Sequence, residues 1–325
     1  MSFLHIKAQK NFLPYINFLN NPHNGLSKLN IPIFRPGYLE QSPLTQMRYN
    51  RLVTAFLGFV LLITISCKQH TPQQTDDSNM ALGNPSNASK NLLNANNYLI
   101  DHKYYIESYN RDKAEPNWVS WHLCNKDVGT TDRLNNFRAD ETLPDGWYEV
   151  DNNSYKRSGF DKGHNCPSGD RTSTTDANSA TFLMDNIIPQ APNNNQHTWE
   201  HLESYCRNKL KRGNEVYVIM GVYGSGGTGR NGFATTIDKG RINVPAHIWK
   251  VVVVLPEGND DLNRIDENTQ VIAIDTPNDN KISNNWMNYT CTVKSIEDST
   301  GYNLLSALPH SIQEVLENKK FTGGN

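Results

Sequence analysis

Apolar residues are unevenly placed along this chain, and their spacing divides it into segments of different kind. Three runs in the second half, Val216–Met220, Trp249–Leu255 and Val271–Ile274, are dense in β-branched residues and bounded by Gly, Pro and Asn, which predicts strands. Upstream of them, Trp199, Leu202, Cys206 and Leu210 recur at spacings of three and four, the period of a helix face turned to a core. This predicts a helix over about Gln196–Lys211, stopped by Gly213-Asn214. A second amphipathic stretch, Ser311–Asn318, predicts a short helix near the C-terminus. Strands mixed with few helices, and no internal repeat, predict an α+β fold rather than a parallel βαβ array.

The N-terminal region carries a different pattern. Met47-Arg48-Tyr49-Asn50-Arg51 is followed by an almost unbroken apolar run, Leu52–Ser66, that ends at Cys67. A basic start and a short apolar stretch are the marks of an export signal, and the run is shorter than the roughly 20 residues that span a bilayer. Thr64-Ile65-Ser66-Cys67 resembles a bacterial lipobox, with Thr64 where Leu is usual, and this implies lipid attachment at Cys67. The expected division is therefore an upstream extension at 1–46, with Met47 as a plausible true start; a signal segment at 47–67; a flexible tether at 68–97; and a folded domain at 98–320. The tether is inferred from its wealth of Gln, Asn, Ser, Thr and Asp. Export, with the protein lipid-anchored to a bacterial membrane or released outside the cytoplasm, is the expected localisation.

Composition alters this picture in two ways. With 325 residues, 37% hydrophobic and 10% aromatic, the chain can build a substantial core. Its net charge of −2 hides an imbalance, because residues 67–325 hold 25 Lys/Arg against 32 Asp/Glu. The global field therefore gives no attraction to polyanions, and any nucleic-acid binding must rest on a local basic patch. Apart from Cys67, Cys124, Cys166, Cys206 and Cys291 could form two disulfides in three pairings. The absence of a Cys-x-x-Cys pair argues against a zinc knuckle.

The candidate chemistry lies within about fifty residues. Asp161-Lys162-Gly163-His164 places a histidine after a glycine, a weak signal alone. Downstream stand Asn186-Ile187-Ile188-Pro189-Gln190, then Asn195, and on the predicted helix Glu203 and Arg207, four apart and so on one face. Together they offer a base, an oxygen ligand for a hard cation, and a phosphate-binding cation, the ingredients of phosphodiester hydrolysis. Gly224–Gly229 lacks the Lys-Ser/Thr ending of a phosphate cradle and reads as a hairpin loop. His122 and His197 read as ordinary polar residues.

The order and spacing of these segments resemble the DNA/RNA non-specific endonucleases of the ββα-metal (His-Me finger) type. Further matching segments are Trp118–Trp121, Pro167–Arg171, Tyr217–Gly221, Pro245–Lys250 and Ile296–Tyr302, and the resemblance covers roughly Tyr98–Glu317. It implies a central antiparallel sheet and hydrolysis of DNA and RNA to 5′-phosphate ends. It further implies His164 as general base, Asn195 as the one direct ligand of a hydrated Mg²⁺ for which Mn²⁺ could substitute, and Glu203 as holder of the metal's waters. Arg207 and Lys162 would bind phosphate. Beside the resemblance, Asp161, Arg133 and Arg171 are candidate substrate contacts, with local hydrogen bonding the other role open to Asp161 and a structural ion pair of Asp170-Arg171 the preferred reading of Arg171. Lys162 departs from the family's usual Arg, replacing a bidentate fork by a point charge. A Cys166–Cys206 bridge bracing the site and unpaired packing of both thiols stand as equal alternatives. Competing functions are a binding module that holds nucleic acid without cutting, and a phosphodiesterase for small phosphoesters.

Overall fold

The computed structural model describes residues 77–323, and the three predicted strand runs lie at its centre. In chain order the elements begin with β1 (Tyr98–Asp101), β2 (Ile106–Asn110), β3 (Glu115–Leu123), β4 (Asp161–His164), the short helix α1 (Thr175–Ala180) and β5 (Ile187–Gln190). Next come α2 (Glu200–Leu210) and β6 (Asn214–Tyr223), then two small hairpins, β7 (Gly227–Gly229) with β8 (Gly232–Ala234) and β9 (Thr236–Ile237) with β10 (Ile242–Asn243). Last are β11 (His247–Pro256), α3 (Asp261–Arg264), β12 (Gln270–Pro277), β13 (Thr290–Cys291), α4 (Val293–Thr300) and α5 (His310–Glu317).

Seven strands form one antiparallel sheet in the order β1-β2-β3-β6-β11-β12-β13. Side chains alternate across a strand, so a sheet covered on both faces needs apolar residues at every position. That is why β6 and β11 read as long apolar runs, interrupted in β11 by Lys250. Val216, Val218 and Met220 enter one core with Val252 and Val254, where Trp199, Leu202, Cys206 and Leu210 of the helical segment cover them. Tyr217 and Ile219 enter the opposite core with Trp249, Val251 and Val253, beneath Val293, Ile296, Leu305 and Leu316 of the C-terminal region. The predicted α+β fold with a central antiparallel sheet is present, with helices on both faces.

The site is carried by a ββα unit laid against the first of these cores. β4 pairs antiparallel with β5, with Gly163 opposite Ile188 and His164 opposite Ile187. Glycine at 163 is a packing requirement, since a Cβ there would come within 2.2 Å of the Gln190 side chain. After β5 the chain widens into a π-helical turn, Asn194–Trp199, before settling into α2. Such turns are uncommon and recur at functional sites. Asn194 anchors this one, its amide donating to Thr276 Oγ1 and the Pro277 carbonyl. Gly213, at φ +76, ends the helical segment as its sequence predicts.

Several expectations change. The stretch from residue 77 to 97, expected to be tether, belongs to the folded domain: Ala81, Leu82 and Ala88 are buried in the second core. Trp118 Nε1 donates to Ser86 Oγ, and Ser120 Oγ to the Asn79 carbonyl. Its many Asn and Ser residues make turns and hydrogen bonds rather than loose chain. No disulfide forms among the described residues; Cys124, Cys166, Cys206 and Cys291 are all free thiols, and Cys166 and Cys206 pack as apolar residues in the first core. Burial pushes the Cys206 thiol up to about 12. Gly224–Gly229, expected to be a hairpin loop, instead supplies the first strand of a hairpin in its last three residues, with Gly227 opposite Ala234 and the turn at Arg230-Asn231. The expected signal segment, Cys67 and tether residues 68–76 lie outside the described residues.

Candidate active site

A groove of about 360 Å³ opens where β4, the π-helical turn and α2 meet. Arg133, Lys162, His164, Asn195, Glu203 and Arg207 all line it, so residues 70 positions apart in sequence share one surface.

His164, the last residue of β4, is buried, with its ring edge-on to Phe182 at 5.0 Å and tilted against Phe137 at 5.4 Å. Its Nε2 has no hydrogen-bond partner within the protein. Burial first, then the nearby Arg133 and Lys162 cations, drive its pKa down to about 3, so the imidazole is neutral at physiological pH. The segment after it is clamped by Asn186, which accepts from the Cys166 amide at 2.9 Å and donates to the Cys166 and Thr181 carbonyls. This gives the Asn186–Gln190 motif its physical role: it fixes the exit from β4.

Asn195 presents an amide whose orientation is set by Asp161. The Asn195 Nδ2 donates to Asp161 Oδ2 at 3.0 Å, and Gln196 Nε2 donates to the same oxygen at 2.7 Å. With its nitrogen engaged, Asn195 keeps its Oδ1 as the end available to a cation. Glu203 stands one helical segment further on. Its carboxylate is 3.6 Å from Lys250 Nζ and 3.9 Å from Arg207. Burial raises the Glu203 pKa, and the Lys250 and Arg207 charges oppose that rise. A neutral amide oxygen sharing the groove with a partly buried carboxylate that can accept from water fits a small hard cation that keeps most of its hydration shell.

The cationic residues divide into three kinds. Arg207 is held by Asp170 at 2.9 Å, which also accepts from Trp121 Nε1, and its guanidinium faces the groove. Arg133 donates to Ser168 Oγ and stacks over Phe182 at 4.9 Å. Lys162 donates to Asn152 and lies 3.9 Å from the Phe137 ring centroid. A neighbouring pocket of about 530 Å³ shares Lys162 and Asn195 with the groove and continues past Lys156 and Asn153.

One expected substrate contact is corrected. Arg171 is 2% exposed and donates to the carbonyls of Tyr104, His122 and Asp170. Its guanidinium is consumed by backbone oxygens that would otherwise be buried unpaired, so it braces the fold and does not reach the groove. Asp161 orients Asn195 and also lines the neighbouring pocket. Lys250 was missed. It faces the α2 side of β11, 1% exposed, with its ammonium 4.9 Å from Trp199 and 5.6 Å from Trp121. A lysine within an otherwise apolar strand was the available signal, because a charge so buried requires a partner.

The comparisons with known proteins agree with this geometry. The sequence profile described as DNA/RNA non-specific endonuclease matches residues 82–311. A protein named Nuclease from Nostoc sp. is 44% identical over 240 residues, covering 74% of this chain and 85% of that protein. The mitochondrial nuclease of Saccharomyces cerevisiae is 29% identical over 231 residues, covering 67% of this chain and 68% of its own length. Among solved structures, a chain of the EndoG/EndoGI complex superposes with a TM-score of 0.59 at 24% identity, covering 74% of this chain and 96% of that one. The matched region takes in the whole ββα unit and the groove, and the chain belongs to the DNA/RNA non-specific endonuclease family.

Proposed function

We propose that this protein is a Mg²⁺-dependent endonuclease that hydrolyses phosphodiester bonds of DNA and RNA, with Mn²⁺ able to substitute, leaving 5′-phosphate ends. The observation that carries the reading is the meeting of His164, Asn195, Glu203 and Arg207 in one groove, with His164 kept neutral.

Asn195 Oδ1 would hold the cation directly, and Glu203 would accept hydrogen bonds from its waters. When bound, the metal supplies charge neutralisation at the phosphate and the leaving oxygen. His164 acts as general base: its neutral ring, on the wall of the groove, takes the proton of the attacking water. Arg207 and Arg133 neutralise the non-bridging phosphate oxygens, for which a planar guanidinium is the better match. Lys162 adds a point charge on the same wall. The anionic remainder of the surface makes this local cluster the docking site for the substrate.

Purified protein incubated with plasmid and with RNA, in Mg²⁺ and in EDTA, tests the reading. Cutting of both substrates in metal and none in EDTA is expected; intact substrates in Mg²⁺ would leave a binding module in its place. We also propose that Cys67 is lipidated after export. Radiolabelled palmitate should enter the full chain and not the Cys67→Ala variant.

A further inference from the structure

A second cluster of ionisable groups lies outside the groove. His102, in the turn between β1 and β2, stands with Glu107 of β2 and Asp185, two residues before β5. Glu107 and Asp185 are 0% and 1% exposed, and the side chain of His102 is 8% exposed. One ligand atom from each lies within 4.8 Å of the others. His102 Nε2 is 3.0 Å from Asp185 Oδ2 and 3.7 Å from Glu107 Oε1. The 3.0 Å approach pairs His102 with Asp185, while both oxygens of Glu107 are buried without a hydrogen bond. A further buried carboxylate, Asp140, neighbours Asp185 and is itself held by Thr142.

What sets this cluster apart is the lack of a lysine or arginine, which leaves His102 as the partner of both acids. Around His122, the acids Glu215 and Asp261 are both bound by the Arg264 guanidinium. Among the described residues no Lys or Arg pairs with Glu107, Asp185 or Asp140. Buried carboxylates without partners are costly, and the cost is removed by a proton or by a metal ion. The spacing admits a metal. Ligand atoms bound at about 2.1 Å to one ion are about 3.0 Å apart in an octahedron and about 3.4 Å apart in a tetrahedron, close to the two His102 distances.

We propose that His102, Glu107 and Asp185 form a structural site for a first-row divalent cation, Zn²⁺ or Mn²⁺, distinct from the catalytic groove. One imidazole with two carboxylates is a donor set suited to these ions. The site ties the β1–β2 turn to the segment that starts β5, and so braces the ββα unit from behind.

The test counts metal. The full chain, stripped with chelator, is loaded with Zn²⁺ or with Mn²⁺, desalted, and analysed for metal content and melting temperature beside Glu107→Gln and His102→Gln. The first variant keeps the shape of the carboxyl, and the second lies in a turn, so failure of one to fold leaves the other. Retained nuclease activity reports that each is folded. Wild type should hold one more equivalent of metal than either variant and melt about 5 °C or more higher when loaded. Equal metal content in all three would overturn the proposal and leave a shared proton as what neutralises the cluster.

Discussion

His164 and His102 are both buried, and their surroundings push them in opposite directions. Around His164 the nearby charges are Arg133 and Lys162, which add to the burial penalty and hold the ring neutral. Around His102 they are Asp185 and Glu107, which overcome the same penalty. Burial fixes how strongly a charge is felt, and the sign of the neighbours decides the outcome. The contrast separates two uses of one residue type. A neutral ring with a free nitrogen can accept a proton; a ring among carboxylates can only hold charge or a cation.

The largest expected effect breaks the pair apart by deletion. His164→Ala should lower the initial rate of plasmid cutting by about 10²- to 10⁴-fold, the contribution of a positioned base. His102→Gln should leave that rate within about threefold. Equal losses in both would mean that His164 acts only through the fold.

A smaller effect is expected one step from the metal ligand. Because Asp161 fixes the Asn195 amide, Asp161→Asn should raise the Mg²⁺ concentration for half-maximal rate by about 10- to 100-fold, with folding intact by circular dichroism. An unchanged metal dependence would return Asp161 to the role of a substrate contact.

Lys250 tests whether a buried cation supports the groove. Lys250→Met leaves Glu203 without its more buried partner and should destabilise the protein by about 3 kcal/mol in urea unfolding. The double variant Lys250→Met with Glu203→Gln should recover most of that loss, and no recovery would place the cost in the packing of Trp121 and Trp199 instead.

The smallest effect is at the family departure. Lys162→Arg should leave the rate equal or raise it a few-fold, since a fork binds phosphate oxygens better than a point charge. A large loss, read in the same plasmid assay, would show that the hydrogen bond to Asn152 and the seat over Phe137 matter more than the charge.

Periodicity made much of this structure legible. The strands β6, β11 and β12 and the stripe Trp199, Leu202, Cys206, Leu210 follow from which positions must face a core, and such information is local. The groove residues were legible because their spacing carries a family signature. Hydrogen-bond partners were not, because they are chosen across the chain: Asp161 meets Asn195 34 residues on, and Arg171 meets Tyr104 67 residues back. The stretch from residue 77 to 97 misled for the same reason, its polar side chains being satisfied by turns and by Trp118 and Ser120 of a later strand. Lys250 was hidden in an apolar run whose period says which face it takes and nothing of the acid waiting there.

The account rests on His164 being a neutral imidazole, and its titration measures that directly. An unfolded histidine binds a proton below about pH 6.5. The folded ring refuses it until about pH 3, so stability owed to this residue is complete above 6.5 and is lost as pH falls toward 3. NMR of histidine-labelled protein, with His164→Ala used to assign the signal, should show the neutral ring unchanged from pH 8 down to pH 5. A midpoint at or above 6.5 would contradict the account.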